Sequence, residues 1–376
     1  MKDSIVAVCL NVNIHKNIPQ MSQNTVFVIG AGASKEAGLP TGSELKREIS
    51  KLLDITFNSL GYRDSGDPTI EEALCLLVRQ PDGTKGNINP YLDAAHHIID
   101  ALPLAISIDN FIDAHQDNDK IVLCGKLAIV RSILDAEKKS LLYFERQKID
   151  SNIDFVTLEK TWYIPFFKLL TENCNKNDLQ TRFKSITLII FNYDRCIEHF
   201  IYYALQNYYK LPETEAAMLV KNIKIFHPYG EVGTLPWIHP KGAVEFGSKP
   251  YPKDLLDIAK QIKTFTEGVT PNLSEIKEIR EHMFLTSKLV FLGFAFHELN
   301  MDLISPSSLY DKNQFGRIMC FATTLMISDS DKEIIEEQIK DLYRNNTRID
   351  TRVKMANLKC GDFFSGFWRS LAFLKL

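Results

Sequence analysis

The chain has 376 residues, enough for one large α/β domain carrying an insertion or for two domains. Its 45% hydrophobic and 24% charged residues are those of an ordinary globular protein, and a net charge of -3 without a Lys/Arg block gives no footing for direct nucleic-acid binding. Seven cysteines are scattered singly with no C-x-x-C pair, which argues against a zinc ribbon and suits reduced thiols in the cytoplasm; no apolar run approaches the roughly 20 residues that span a membrane.

Residues 1–20 read as an N-terminal extension. Ile5 to Leu10 is apolar, but only Lys2 precedes it and no small-residue cleavage site follows, so a signal peptide is not expected. Residues 21–376 read as one nucleotide-binding domain. Its first strand is Thr25 to Ile29, running into Gly30-Ala31-Gly32-Ala33-Ser34, the pattern of a buried strand turning into a helix start. Such a turn aims backbone N–H groups at one point, where a phosphate-bearing ligand is favoured. Gly38 and Pro40 end the short helix. Thr41-Gly42-Ser43-Glu44 then has capping-box spacing ahead of a helix with Leu45, Ile49, Leu52 and Leu53 on one face. Another helix starts near Thr69.

Helical patterns follow over Tyr91 to Leu104, Ile108 to His115, Lys120 to Glu137 and Leu158 to Leu170. The stretch 85–180 therefore reads as a helical insertion, and the first strand's neighbours must come later in the chain. Further strands are expected over Ile186 to Phe191, Asn222 to His227, Leu289 to Phe294, Arg317 to Met326 and Arg352 to Leu358. Helices lie between them, including Pro252 to Leu285, broken around Gly268 to Pro271, and Ser330 to Tyr343. The alternation predicts an α/β fold, a Rossmann-like, doubly wound, mostly parallel sheet with a large helical insertion.

Ligands in such sheets bind outside the carboxyl ends of the strands. Four of those ends carry polar or glycine residues: the first turn, Asn192 and Asp194, His227, and Gly293. Lys35 stands where a dinucleotide fingerprint has its third glycine, and no acidic residue follows on a nearby second strand, which disfavours a dehydrogenase. Cys196 with His199 is a weak nucleophile pair, and Asp113, His115, Asp117 and Asp119 read better as a solvated helix end than as a metal site. No metal is expected. His297, Asn300 and Asp302 follow Gly293 and offer a ribose ligand or a helix cap.

In order along the chain, these segments resemble the sirtuin family. Gly30, Ala31, Gly32, Ala33 and Ser34, with Gly38, Leu39 and Pro40, are similar to the family's opening G-A-G-x-S…G-[IL]-P stretch, which holds NAD. Asn192-Tyr193-Asp194 is similar to its N-x-D, His227 to its histidine motif, and Gly293 to the turn lining the adenosine. The chain departs from protein-deacylating sirtuins in lacking the zinc cysteines. It has Thr41-Gly42-Ser43 where they have Asp-Phe-Arg, and Pro228 and Tyr229 between the histidine and its glycine. In this it resembles the sirtuin-like NAD hydrolases of bacterial antiviral defence.

The resemblance implies NAD+ as substrate, with Thr41, Phe294 and Asn300 completing the binding set. It implies that Asn192 positions a water or ribose hydroxyl, that His227 takes a proton, and that Asp194 meets the nicotinamide carboxamide or the developing charge. The expected activity is cleavage of NAD+ to nicotinamide and ADP-ribose, acting as an NAD-depleting, abortive-infection effector. Its expected restraint is a homo-oligomer formed through the helical insertion or a HerA-type ATPase partner. The alternatives are a non-catalytic module that binds NAD or ADP-ribose and, with less support, a protein deacylase.

Overall fold

Five consecutive buried residues, Thr25–Ile29, form strand β1, and a strand without polar alternation demands cover on both faces. In the computed structural model, which describes residues 24–148, 151–264, 273–306, 316–344 and 349–373, β1 is the centre of a six-stranded sheet. It pairs in parallel with β2 (Ile186–Ile190) on one side and β4 (Lys288–Leu292) on the other, Thr25 standing opposite Ile186 and Lys288. β3 (Lys224–Phe226) flanks β2, while β5 (Gly316–Thr323) and β6 (Ile349–Ala356) extend beyond β4. The order β3-β2-β1-β4-β5-β6 with every pair parallel is that of a Rossmann-like doubly wound sheet, and its topological switch point lies between β1 and β4.

Helices cover both faces. Val26 and Val28 face a core built with α2 (Gly42–Leu53), α3 (Pro68–Leu77), α4 (Asn89–Ala101), α5 (Ile108–Ala114) and α6 (Asp119–Lys139). The same core takes α11 (Pro252–Ala259), α12 (Leu273–Leu285), α13 (Glu298–Ile304) and α14 (Asp329–Asp341). Phe27 and Ile29 face the other core, which holds the four-residue α1 (Ala31–Ser34), α7 (Tyr163–Thr171), α8 (Leu179–Lys184), α9 (Cys196–Tyr209), α10 (Glu213–Val220) and α15 (Cys360–Leu371). The stretch 85–180 is thus shared between the two layers, α4 to α6 on one and α7 and α8 on the other. None of the described helices is long and apolar enough to cross a membrane.

The structure refines several boundaries. β3 stops at Phe226, because Pro228 has no N–H to continue a ladder. β6 begins at Ile349 and alternates half-buried with exposed residues as an edge strand does, a pattern too polar to read as buried sheet. Helices α8, α10 and α15 were not anticipated. Residues 1–20 and the expected break around Gly268 to Pro271 lie outside the described residues.

Candidate active site

The turns after β1 and β4 meet at the switch point in direct backbone contact. Gly30 N–H donates to the Leu292 carbonyl (3.0 Å), Gly32 N–H to that of Gly293 (2.9 Å), and Ala33 N–H to that of Gly30 (3.0 Å). A Cβ on Gly30 would lie 2.5 Å from Gly293 O, and one on Gly293, whose φ is +54°, would lie 2.1 Å from Ala33 N. Glycine is required at both positions because a side chain would push the turns apart. This corrects the sequence-based expectation for the turn: the amides of Gly30, Gly32 and Ala33 hold β1 to β4 or close α1, and are not free to cradle a phosphate.

Beside this junction lies a cavity of about 370 Å³ whose wall includes Gly30, Ala31, Asn192, Phe294 and Asn300, together with Asp109 and Tyr229. Asn192 follows β2, and its Nδ2 donates to Ser34 Oγ at 2.8 Å. Ser34 in turn hydrogen-bonds Asp194, which also accepts from Cys196 N–H (3.2 Å) at the start of α9. Burial pushes the Asp194 carboxyl up in pKa, and the hydrogen bonds from Ser34 and Cys196 oppose that rise. A serine hydroxyl that donates to a carboxylate accepts from the amide, so Asp194 sets Ser34, and Ser34 sets the Asn192 side chain with Oδ1 as its remaining acceptor. Asp194 is buried and does not line the cavity, so in this geometry it positions and caps.

The other residues expected to bind ligand divide. Asn300 Oδ1 accepts from the Tyr229 hydroxyl on the cavity wall. Gly32, Ala33, Ser34 and Leu39 lie behind the wall, with Leu39 buried in the core. Gly38, with φ +98°, and Pro40 border a different cavity, near α2 and α6. Thr41 is occupied in the capping box, its N–H (2.9 Å) and hydroxyl (3.0 Å) both donating to Glu44.

His227 also departs from expectation. Nδ1 lies 3.2 Å from the Asn192 carbonyl and Nε2 lies 2.7 Å from Glu198 Oε1 on α9. Both partners are acceptors, so the ring donates from both nitrogens. Burial works to lower its pKa, but the Glu198 carboxylate, Glu231 and the Asn192 carbonyl outweigh burial and carry it up to about 9. The ring borders a second cavity, of about 520 Å³, instead of the one that Asn192 faces. Here His227 ties the main chain of Asn192 to Glu198, with both ring nitrogens engaged.

Cys196 and His199 do not form a nucleophile pair. Burial raises the Cys196 thiol well above its ordinary pKa, and His199 stacks on Phe246 (3.9 Å between centroids) with Nε2 3.2 Å from the Leu142 carbonyl. Among the described residues, Asp113, His115, Asp117 and Asp119 form no metal-ligating group. Sequence reasoning missed Asp109, which lies on α5 and accepts from the Tyr193 hydroxyl, and which burial raises in pKa. It also missed Glu198 and Glu231. The signal for Glu198 was present, since a residue six positions after Asn192 lies on the first turn of a helix that starts at the strand end. No protein-family model matches the chain, and no curated protein matches it.

Proposed function

We propose that the chain is an NAD+ glycohydrolase that releases nicotinamide and ADP-ribose. The observation that carries the reading is the oriented Asn192 amide on the wall of a cavity at the β1/β4 switch point, where doubly wound sheets bind nucleotides. The lining also favours cationic chemistry. Asp109, Asp113 and Glu298 border the cavity, and no Lys or Arg does so among its described lining residues. Such a wall suits the positively charged nicotinamide ribose and the oxocarbenium-like sugar formed as the bond between nicotinamide and ribose breaks, better than it suits the pyrophosphate. Nicotinamide leaves with the bonding electron pair and is neutral, so no strong acid is needed. Asn192 Oδ1 holds the water or a ribose hydroxyl, and Asp109, a carboxylate made more basic by burial, takes the proton as water adds to the sugar.

The resemblance to defence-associated sirtuin-like enzymes supports a role as an NAD-depleting effector in antiphage defence, held in check by self-association or by a HerA-type ATPase. A freely active monomer, seen by light scattering and unaltered by the partner, would overturn that restraint. A second reading, a non-catalytic NAD or ADP-ribose module, is favoured by the engagement of both His227 nitrogens. Incubating the full chain with NAD+ and following nicotinamide by chromatography separates the two. Release that is lost in Asn192→Ala is the expected result, whereas saturable NAD+ binding without release overturns the hydrolase.

A further inference from the structure

Glu198, His227 and Glu231 converge beside the second cavity, away from the Asn192 pocket. Their ligating atoms all lie within 4.8 Å of one another, with His227 Nε2 at 2.7 Å from Glu198 Oε1 and 3.7 Å from Glu231 Oε2. Two carboxylates therefore face one imidazole; Arg195 adds a favourable charge for both glutamates but makes its hydrogen bonds elsewhere. Arg195 is committed to Glu137 (2.6 Å) and to the carbonyls of Gly233 (2.9 Å) and Val244 (2.6 Å).

A second observation points to a missing ligand. Glu198 is only 3% exposed, it borders the cavity, and its Oε2 is buried with no hydrogen-bond partner. A buried carboxylate oxygen without a partner costs free energy that a bound cation would recover. We propose that Glu198, His227 and Glu231 form a site for a divalent transition-metal ion of the zinc class.

The ring geometry fits that assignment. His227 Nδ1 donates to a backbone carbonyl, that of Asn192, which is the outer-shell contact that metal-bound histidines usually make, and it leaves Nε2 as the ligating nitrogen. On binding, the cation replaces the Nε2 proton, which leaves to solvent, and draws one oxygen from each glutamate. Imidazole with carboxylates suits zinc or manganese better than magnesium or calcium, which favour all-oxygen shells. Three protein ligands leave a position open to water from the cavity, as in zinc sites that are not purely structural. The ion would tie the end of β3, the loop carrying Glu231 and the first turn of α9 together.

The test uses the full chain, stripped with chelator and titrated with zinc chloride by calorimetry, with bound metal counted by mass spectrometry. The expected result is one zinc per chain, a rise in melting temperature on zinc addition, and no comparable response to magnesium. Glu231→Gln, at a half-buried position, should fold as judged by circular dichroism and bind zinc at least ~10-fold more weakly, and Glu198→Gln should do the same. No zinc uptake by the wild-type chain, or uptake unchanged in a folded Glu231→Gln chain, would overturn the site. Neither readout depends on NAD+ cleavage, so failure here and failure of the hydrolase reading are distinguishable.

Discussion

Asn192 is held through a relay rather than directly: Asp194 to Ser34, Ser34 to the amide. Replacing Asn192 by Ala removes the group proposed to meet the ligand, and on that proposal NAD+ cleavage is expected to fall by ~100-fold or more with the melting temperature little changed. Ser34→Ala frees the amide to rotate, so a smaller loss in kcat is expected, again read as nicotinamide released. Asp109→Asn keeps the shape and removes the proposed proton acceptor, and the loss should appear in kcat more than in KM. His199 makes a different point. Burial holds its pKa down to about 3 against an ordinary 6.5. The unfolded chain thus takes up a proton below pH 6.5 that the folded chain refuses, and stability falls as pH drops through that window, by about 2 kcal/mol at pH 5. His227, Asp109 and Asp194, whose pKa values the fold raises, act in the opposite sense, so the His199 contribution is read as a difference. Denaturant melts at pH 7 and pH 5 should show His199→Phe losing less stability, or gaining more, on acidification than the wild-type chain.

At the scale of elements, the glycine turn and the Gly293 turn are two halves of one joint. Gly293→Ala forces a Cβ onto the backbone of Gly32 and Ala33 at a positive φ and is expected to cost 1–3 kcal/mol or more, whereas Gly42→Ala, with nothing within 4 Å of its Cβ, is expected to be neutral or slightly stabilising. Thermal melts of the pair decide it. The apolar strands β1, β2 and β4 were legible because a strand buried on both faces has no polar alternation to disguise it, and the capping box of α2 because its signal is local. The placement of Asn192 and Asn300 on one cavity followed from strand ends converging. The direction of His227 did not, because it depends on Glu198, which side-chain spacing alone does not aim at the ring. Asp109 was hidden for a similar reason: it reaches the cavity from a helix far away in sequence. Nor do Gly30 and Gly32 disclose in sequence that their amides are spent on β4.

Across the whole molecule, the buried pair of Glu137 on α6 and Arg195 before α9 joins the two helical layers around the strand ends. Glu137 also accepts from Gly247 N–H (2.9 Å), and Arg195 holds the carbonyls of Gly233 and Val244, so four separate stretches of chain meet at two side chains. Removing one partner leaves a bare charge in the interior. Glu137→Ala is therefore expected to destabilise the fold by ~3–5 kcal/mol, measured as a shift in the denaturant midpoint at unchanged slope. Glu36 makes a lighter tie of the same kind, accepting from Trp162 N–H (2.8 Å) and Gly361 N–H (3.3 Å) and so connecting the first turn to α7 and to the last helix.

The central place of β1 also bears on how the chain is made. Both strands that flank Thr25–Ile29 are encoded far downstream, beginning at Ile186 and Lys288. At ribosomal speeds of about 5–20 residues per second, the first strand waits roughly 8–30 s for its first neighbour to be synthesised. During that interval a strongly apolar strand has two unpaired edges, a template for association with other nascent chains. High contact order also slows refolding. Fragments truncated before Ile186 should therefore aggregate or need a chaperone, while fragments extended past Ile190 should resist proteolysis better at β1.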